Sequence, residues 1–399
     1  MRSFKFILIP AVLFLLAGFA YADWVPQSSG TINTLYSVHF PVDASTGYAV
    51  GNGGTILKTS NGGANWVSQT TGTTYSLFSI HFPVDASTGY AAGGYDSILA
   101  TTNGGANWVR QTTGITGSLF SVHFPVDATT GYAAGDWGTI LKTTNGGANW
   151  VSQPSGTTNR LYSVHFPVDA ITGYAAGDWG TILKTTNGGA NWVTQTSGAA
   201  YSLLSILFPV DASTGYAAGM YGIILKTTNG GTSWVGQTTG TDNILFSVHF
   251  PVDAITGYAA GDTGTILKTT NGGANWVSQT SGTTYILFSV HFPVDASTGY
   301  AVGDSGIILK TTDGGSGVEN GRDQGLGIRD QAYRAVPNPF TSFTTLPGHS
   351  SEHFALFDIS GRWVGAYKGD RIGFNLPPGV YFLKPGLGEA NPMRIVKVR

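Results

Sequence analysis

Three residue columns in this chain are of types that do chemistry, and each recurs at a fixed spacing. His39, His81, His123, His165, His249 and His291 stand 42 residues or a multiple of 42 apart, with Leu207 filling the remaining place. Asp43, Asp85, Asp127, Asp169, Asp211, Asp253 and Asp295 follow four positions behind, and Lys58, Lys142, Lys184, Lys226, Lys268 and Lys310 form a third column that Ala100 interrupts. Imidazoles could ligate a metal or relay protons, and paired carboxylates could hydrolyse a glycosidic bond. A reactive site, however, needs a few different groups converging on one point, whereas a residue present in every unit is one that every unit needs. Each His is therefore expected to bond the turn of its own unit, and each Lys to occupy a solvated position. Asp96 and Asp242 stand outside the repeated columns and lie far apart in sequence. Sialidase chemistry needs an arginine cluster, a tyrosine nucleophile and a glutamate, but residues 24–315 hold no Glu and only Arg110 and Arg160. No GxSxG, zinc motif or phosphate loop appears. Neither an enzyme nor a bound metal or cofactor is expected.

The elements that carry these columns are strands. The unit from Leu77 to Thr112 reads LFSIHF, a PVDAST turn, GYAAG, a GYDS turn, ILATT, an NGGA turn and NWVRQT. Each apolar segment is short, rich in β-branched and aromatic residues, and bounded by Gly, Asn, Asp or Pro. Gly and Thr recur too often for helix, and no stretch sustains a 3.6-residue apolar period. Four strands in a period of about 40 residues are the signature of a propeller blade. A column of seven Trp, Trp24, Trp66, Trp108, Trp150, Trp192, Trp234 and Trp276, of which the last six follow the turns that begin at Asn61, Asn103, Asn145, Asn187, Asn229 and Asn271, is expected to lay an indole plate between adjacent sheets. The last such turn, at Asp313, is not followed by Trp, while WVPQSSG at Trp24 has no unit before it. That N-terminal stretch is expected to supply the missing fourth strand of the seventh blade and to close the ring as a clasp. The expected fold is all-β: a seven-bladed propeller over residues 23–315.

In such blades the turns joining strands one to two and three to four share one rim, and the two-to-three turns share the other with the crossings between blades. The first rim barely varies here. The second carries Gly53, Tyr95, Trp137, Trp179, Tyr221, Thr263 and Ser305 at the turn tips, and Asn33, Tyr75, Gly117, Asn159, Tyr201, Asn243 and Tyr285 in the crossings. Tyr95, Trp137, Trp179 and Tyr221, with Tyr75 and Tyr201 beside them, form the candidate ligand face, suited to stacking on sugars or on peptide side chains. The bland alternative is rim packing by the same rings.

At the N-terminus, Arg2 and Lys5 precede an apolar run from Phe6 to Phe19 and the small-x-small triplet Ala20-Tyr21-Ala22, which reads as a signal peptide over residues 1–22. No further segment long and apolar enough to span a membrane is expected once it is cleaved. Cysteine is absent, so no disulfide framework or thiol chemistry is available. With only 11% charged residues and a net charge of -2, a nucleic-acid partner is not expected. A Gly- and charge-rich linker over residues 316–331 leads to short alternating strands over 332–399, which read as a small β-sandwich.

The turn TTNGGANW resembles the Asp-box of bacterial neuraminidase repeats, although only Asp313 supplies the acid. The unit LYSVHFPVDASTGYAVGNGGTILKTSNGGANW resembles the repeat of the photosystem II assembly and stability factors, seven-bladed propellers related to the BNR-repeat superfamily. That resemblance implies a binding protein that contacts assembling membrane proteins, partly through an arginine-rich surface. The tail motifs AVPNPF at 335–340, FALFDISGRWV at 354–364, NLPPGVYFLK at 375–384 and RIVKVR at 394–399 resemble the Ig-like C-terminal sorting domain of type IX secretion cargo, which implies the type IX machinery as a partner and a secreted or cell-surface destination. The reading that results is a non-catalytic propeller binding a protein or glycan outside the cell, with a chaperone for a membrane complex as the alternative and a glycoside hydrolase as a distant third.

Overall fold

The computed structural model describes residues 24–315, 353–358, 362–368, 377, 379–385 and 393–397. Residues 1–22, expected to be a signal peptide, residues 316–331, expected to be a linker, and AVPNPF lie outside these residues. The chain divides into two compact units, Met1–Asn320 and Gly321–Arg399.

The first unit is an all-β seven-bladed propeller of four-stranded antiparallel sheets. In the third blade the strands are Leu119–His123, Gly131–Gly135, Ile140–Thr143 and Val151–Gln153, in that spatial order. The sheet built from Leu287–His291, Gly299–Gly303 and Ile308–Thr311 takes its fourth strand from Val25–Gln27, paired antiparallel with Val25 opposite Lys310 and Gln27 opposite Ile308. Every first strand carries a bulge between its first and third residues, as between Leu119 and Ser121, which adds twist where the strands crowd the axis. The first strands of neighbouring blades touch all round, including Leu287–His291 against Leu35–His39, so the ring is continuous.

The core lies between blades rather than within one. A typical layer joins Tyr48, Val50 and Ile56 of the first blade to Leu77, Ile80, Phe82, Ala91, Leu99 and Trp108 of the second. The Tyr48 ring stacks on Phe82 at 4.0 Å, and Trp108 meets Phe82 edge-on at 6.1 Å. Gly89 is required beside this stack, because a Cβ there would lie 2.4 Å from the Phe82 ring. Tyr48 Oη donates to the carbonyls of Ala86 and Gly104 at 2.8 and 3.1 Å. Trp24 stands edge-on to Phe292 at 5.8 Å and is fully buried, the same arrangement from the other end of the chain. Each NGG turn is closed locally: in the first blade Asn61 Oδ1 accepts from Asn65 N–H at 2.9 Å and Thr59 Oγ1 accepts from Gly63 N–H at 2.9 Å.

Two expectations are corrected here. The Lys column is not simply solvated: Lys58 Nζ lies 5.4 Å over the Tyr48 ring and donates to Gly104 O of the next blade at 2.7 Å. This pattern recurs at Lys142, Lys184, Lys226, Lys268 and Lys310. The His column does not bond its own blade's turn. His39 Nε2 bonds Phe82 O of the next blade at 3.1 Å, and His123, His165, His249 and His291 do likewise, while His81 Nδ1 accepts from Phe124 N–H at 3.2 Å. Both columns rivet one blade to the next.

In the second unit, His353–Asp358, Trp363–Lys368, Gly379–Pro385 and Met393–Lys397 form one antiparallel sheet, with His353–Asp358 and Gly379–Pro385 in the middle. Phe354, Leu356 and Tyr381 are buried, and Tyr381 Oη donates to Pro377 O at 2.8 Å.

Candidate functional site

Each two-to-three turn is a tight loop whose second residue takes a left-handed backbone. Gly53 adopts it at φ +63° without steric cost. In the other blades the same place is held by Tyr95 (φ 51°), Trp137 (54°), Trp179 (56°), Tyr221 (57°), Thr263 (51°) and Ser305 (55°). A bulky side chain here is disfavoured by about 1 kcal/mol or more, so four aromatics are held at positions where glycine fits better. They are also strongly exposed: Tyr95 69%, Trp137 66%, Trp179 76% and Tyr221 61%. The turn residue after each tip is glycine in most blades, and at Gly138 a Cβ would come within 1.9 Å of Thr157 O. The tip is thus braced against the crossing behind it and cannot easily fold away.

The crossings meet these tips as expected from the rim assignment. Tyr75 lies 4.7 Å from Tyr95, and Tyr201 lies 4.3 Å from Tyr221, each pair tilted. Trp137 rests against Gly117, where a Cβ would approach its ring to 3.0 Å. Packing between loops therefore occurs, yet it leaves most of each tip ring open to solvent. The rim is not uniform: blades two to five carry aromatic tips, whereas around Tyr285 the tips Thr263 and Ser305 border shallow grooves that include Thr283 and Ser29.

Inside the same rim, the residue before each tip is Asn52, Gly94, Asp136, Asp178, Met220, Asp262 or Asp304. Arg160 Nε lies 2.9 Å from Asp136 Oδ1, and Tyr162 Oη donates to Asp178 Oδ1 at 3.0 Å. Arg110 donates to Tyr95 O at 2.9 Å and stands 3.9 Å from Asp96. Burial raises the Asp96 carboxyl above the usual range against the pull of Arg110, and burial followed by the charge of Asp304 raises Asp262. Asp242 is exposed in the crossing before the sixth blade. Below this mouth the axis is lined by Phe246, Phe288, Tyr36, Phe78, Phe120 and Tyr162 in sequential contact at 4.8 to 5.4 Å.

Towards the other rim comes a collar of imidazoles. His249, His291, His39, His81, His123 and His165 touch in that order at 4.8 to 5.0 Å, and Leu207 interrupts the circle. Sequence reasoning kept these residues apart because they sit one period from each other. The ring geometry brings a column of the first strand onto one axis, a juxtaposition that no local pattern reports. Even so, among the described residues no three His, Asp or Glu side chains are placed to hold a metal ion. The Asp43 column is structural in its contacts: Asp43 Oδ1 accepts from the N–H groups of Ser45 and Thr46 at 2.8 and 3.2 Å, and the hydroxyl of Ser45 lowers its carboxyl.

The collar has a consequence for stability. Burial holds His39, His123 and His249 at about 4 and His165 at about 3, with His81 and His291 also well below the usual value of 6.5. The unfolded chain binds these protons near pH 6.5, whereas the folded chain binds those of His39, His123 and His249 only at about 4, that of His165 at about 3, and those of His81 and His291 well below 6.5. Stability is therefore fully present above pH 6.5 and is lost as pH falls towards 4. Between pH 7 and 4.5 the melting temperature is expected to fall by several degrees, and H123L/H165L, which copies the natural Leu207, to flatten the slope. An intact chain whose melting temperature does not change over that window would contradict the buried neutral collar.

Fold and site together define a class: a seven-bladed propeller whose variable rim presents aromatic side chains around an acidic mouth, with its repeated His and Lys columns spent on joining blades. The chain belongs to the family described as Photosynthesis system II assembly factor YCF48, which matches residues 17–158 and 233–322. Among solved structures, the chain is similar to YCF48 from Cyanidioschyzon merolae, at 20% identity with a TM-score of 0.60, covering 72% of this chain and 98% of that one. It is also similar to the structure titled YCF48 bound to D1 peptide, at 18% identity with a TM-score of 0.62, covering 74% of this chain and 96% of that one. At these identities the two structures establish the fold. No curated protein matches the sequence.

Proposed function

We propose that this protein is a non-catalytic scaffold that binds a protein segment on its aromatic rim. The observation that carries the reading is the set of four solvent-exposed aromatics in left-handed turn positions, Tyr95, Trp137, Trp179 and Tyr221. Backbone strain at an exposed tip is retained where the side chain it presents is used, and rigid, amphipathic rings are the side chains that give most contact energy for least ordering. That a structure of the family's YCF48 is titled as bound to a D1 peptide supports a polypeptide ligand over a glycan. W137A/W179A is expected to lower the affinity for the natural partner at least about tenfold, the loss of one or two interface anchors. The melting temperature should stay within a few degrees, since both rings are largely outside the core. Unchanged retention of the partner in a pull-down from the native host would overturn the reading.

The route outward is part of the proposal: residues 1–22 as a cleaved signal peptide and residues 332–399 as an Ig-like sorting domain read by a type IX system, giving a secreted or surface-bound propeller. The tail motifs supply the support, and the sheet formed by residues 353–397 is compatible with them. The alternative, assistance to a membrane complex, is favoured by the family match itself. Fractionation of the native host with blotting for propeller and tail separates the two. Recovery with inner-membrane complexes rather than at the surface or in the medium would favour assembly assistance.

A further inference from the structure

We infer that the occupant of the aromatic rim is a cationic peptide segment, one whose Lys or Arg side chains stack on the tip aromatics and face the carboxylates of the mouth. This rests on the binding reading above and adds the chemistry of the partner.

The charge on this face is one-sided. Asp96, Asp136, Asp178, Asp242, Asp262 and Asp304 belong to its turns and crossings, and among the described propeller residues Arg110 and Arg160 are the cations that reach it. The propeller's lysines are committed to the opposite rim, each donating Nζ to a turn carbonyl as Lys142 does to Gly188 O at 2.8 Å or, in the closing pair, Lys310 to Gly62 O at 2.7 Å. Arg160 answers Asp136 and Arg110 stands near Asp96, but Asp262 and Asp304 form no ion pair among the described residues. They occupy adjacent blades, and the Asp262 carboxyl is raised chiefly by burial, with the charge of Asp304 as a smaller addition.

The fold does not demand these acids. The column reads Asn52, Gly94 and Met220 in other blades, and the turn there pairs its backbone in the same way: Asn52 N–H donates to Thr34 O at 2.9 Å as Asp304 N–H donates to Ile286 O at 3.0 Å. Carboxylates where an amide suffices are an electrostatic feature laid over a common turn.

Aromatic and acidic groups also alternate along the chain. Asp136 precedes Trp137 and Asp178 precedes Trp179 within the same tight turns, so each exposed indole has a carboxylate one residue away. An ammonium or guanidinium over an indole face is attracted by the ring quadrupole, and a nearby carboxylate adds a second attraction. The molecule already uses this pairing internally, with Lys142 Nζ 5.5 Å over the Tyr132 ring while bonded to a carbonyl. An anionic segment would instead meet uncompensated repulsion, the element that gives such a surface its selectivity.

The test uses the full chain and fluorescein-labelled peptides of equal length and equal aromatic content, whose variable positions are all Arg, all Gln or all Glu. The Arg peptide is expected to bind about tenfold or more tightly than the Gln peptide, with the Glu peptide weakest, and the gap to shrink as salt is raised. D262N/D304N, which copies the Asn52 blade and so keeps the turn, should remove much of the Arg preference while leaving the Gln peptide unchanged. W137A/W179A should weaken all of them. If W137A/W179A loses binding but Arg, Gln and Glu peptides bind alike, or the preference survives D262N/D304N, the aromatic face stands and the cationic assignment falls. If W137A/W179A binds all peptides as the parent does, the face itself is wrong. Trp-dependent retention of a neutral oligosaccharide such as maltohexaose with no peptide binding would overturn the inference in favour of a glycan.

Discussion

A chain lacking residues 24–30 is expected to melt at least about 10 °C below the intact protein. Deleting them removes Trp24, the one fully buried indole among the described residues, together with its edge contact to Phe292, and loss of a buried large aromatic costs about 3–5 kcal/mol. It also strips the backbone partners of Ile308–Thr311, whose pairing with Val25–Gln27 gives the seventh blade its outer strand, at about 1 kcal/mol for each bond lost. For a domain of this size each kcal/mol is worth roughly 2–4 °C. Trp24→Ala alone should account for the larger part of the change, which separates the plate from the ladder. Calorimetry on the three chains decides it: equal melting temperatures for the truncated and intact proteins would mean that the N-terminal strand does not hold the ring shut.

The second large effect is expected at the joint between blades. Tyr132 is fully buried, stacks on Phe166 at 3.8 Å, and donates to Ala170 O and Gly188 O at 2.9 and 3.1 Å. Tyr132→Ala leaves a cavity and two carbonyls with fewer donors, and should cost about 4–5 kcal/mol. Tyr132→Phe keeps the stack and loses only the hydroxyl, for about 1–2 kcal/mol, because Lys142 Nζ still satisfies Gly188 O. Because the contact spans two blades, denaturant unfolding should remain a single transition whose midpoint moves. A separate early transition confined to one blade would show that the layers between blades do not couple the ring. A Tyr132→Ala chain as stable as the parent would show that the stack contributes little.

Much of the fold was open to reading because a repeat announces itself locally. The strand lengths follow from short apolar runs between Gly, Asn and Pro, and the missing Trp after Asp313 pointed to WVPQSSG. The rim was equally legible: turns on opposite ends of antiparallel strands must lie on opposite faces, so Tyr75 beside Tyr95 and Tyr201 beside Tyr221 follow from counting strands. His39 and Lys58 were misjudged for one shared reason. Their partners, Phe82 O and Gly104 O, are about one period further along, in a neighbouring sheet, and a column read down a sequence compares equivalent positions without saying which of them touch.

The sequence by itself therefore determined the period, the strands, the count of blades and the identity of the exposed tips, since these depend on side-chain alternation and turn chemistry within about 40 residues. Only the tertiary structure decided what the columns do. Closing seven twisted sheets into a ring turns a repeated His into a collar with contacts of about 5 Å, and a repeated Lys into a rivet on the next blade's turn. It also shows that the aromatic tips stand in left-handed backbone. Those outcomes arise from distances between residues far apart in the chain, which burial and ring closure fix together and which no single blade contains.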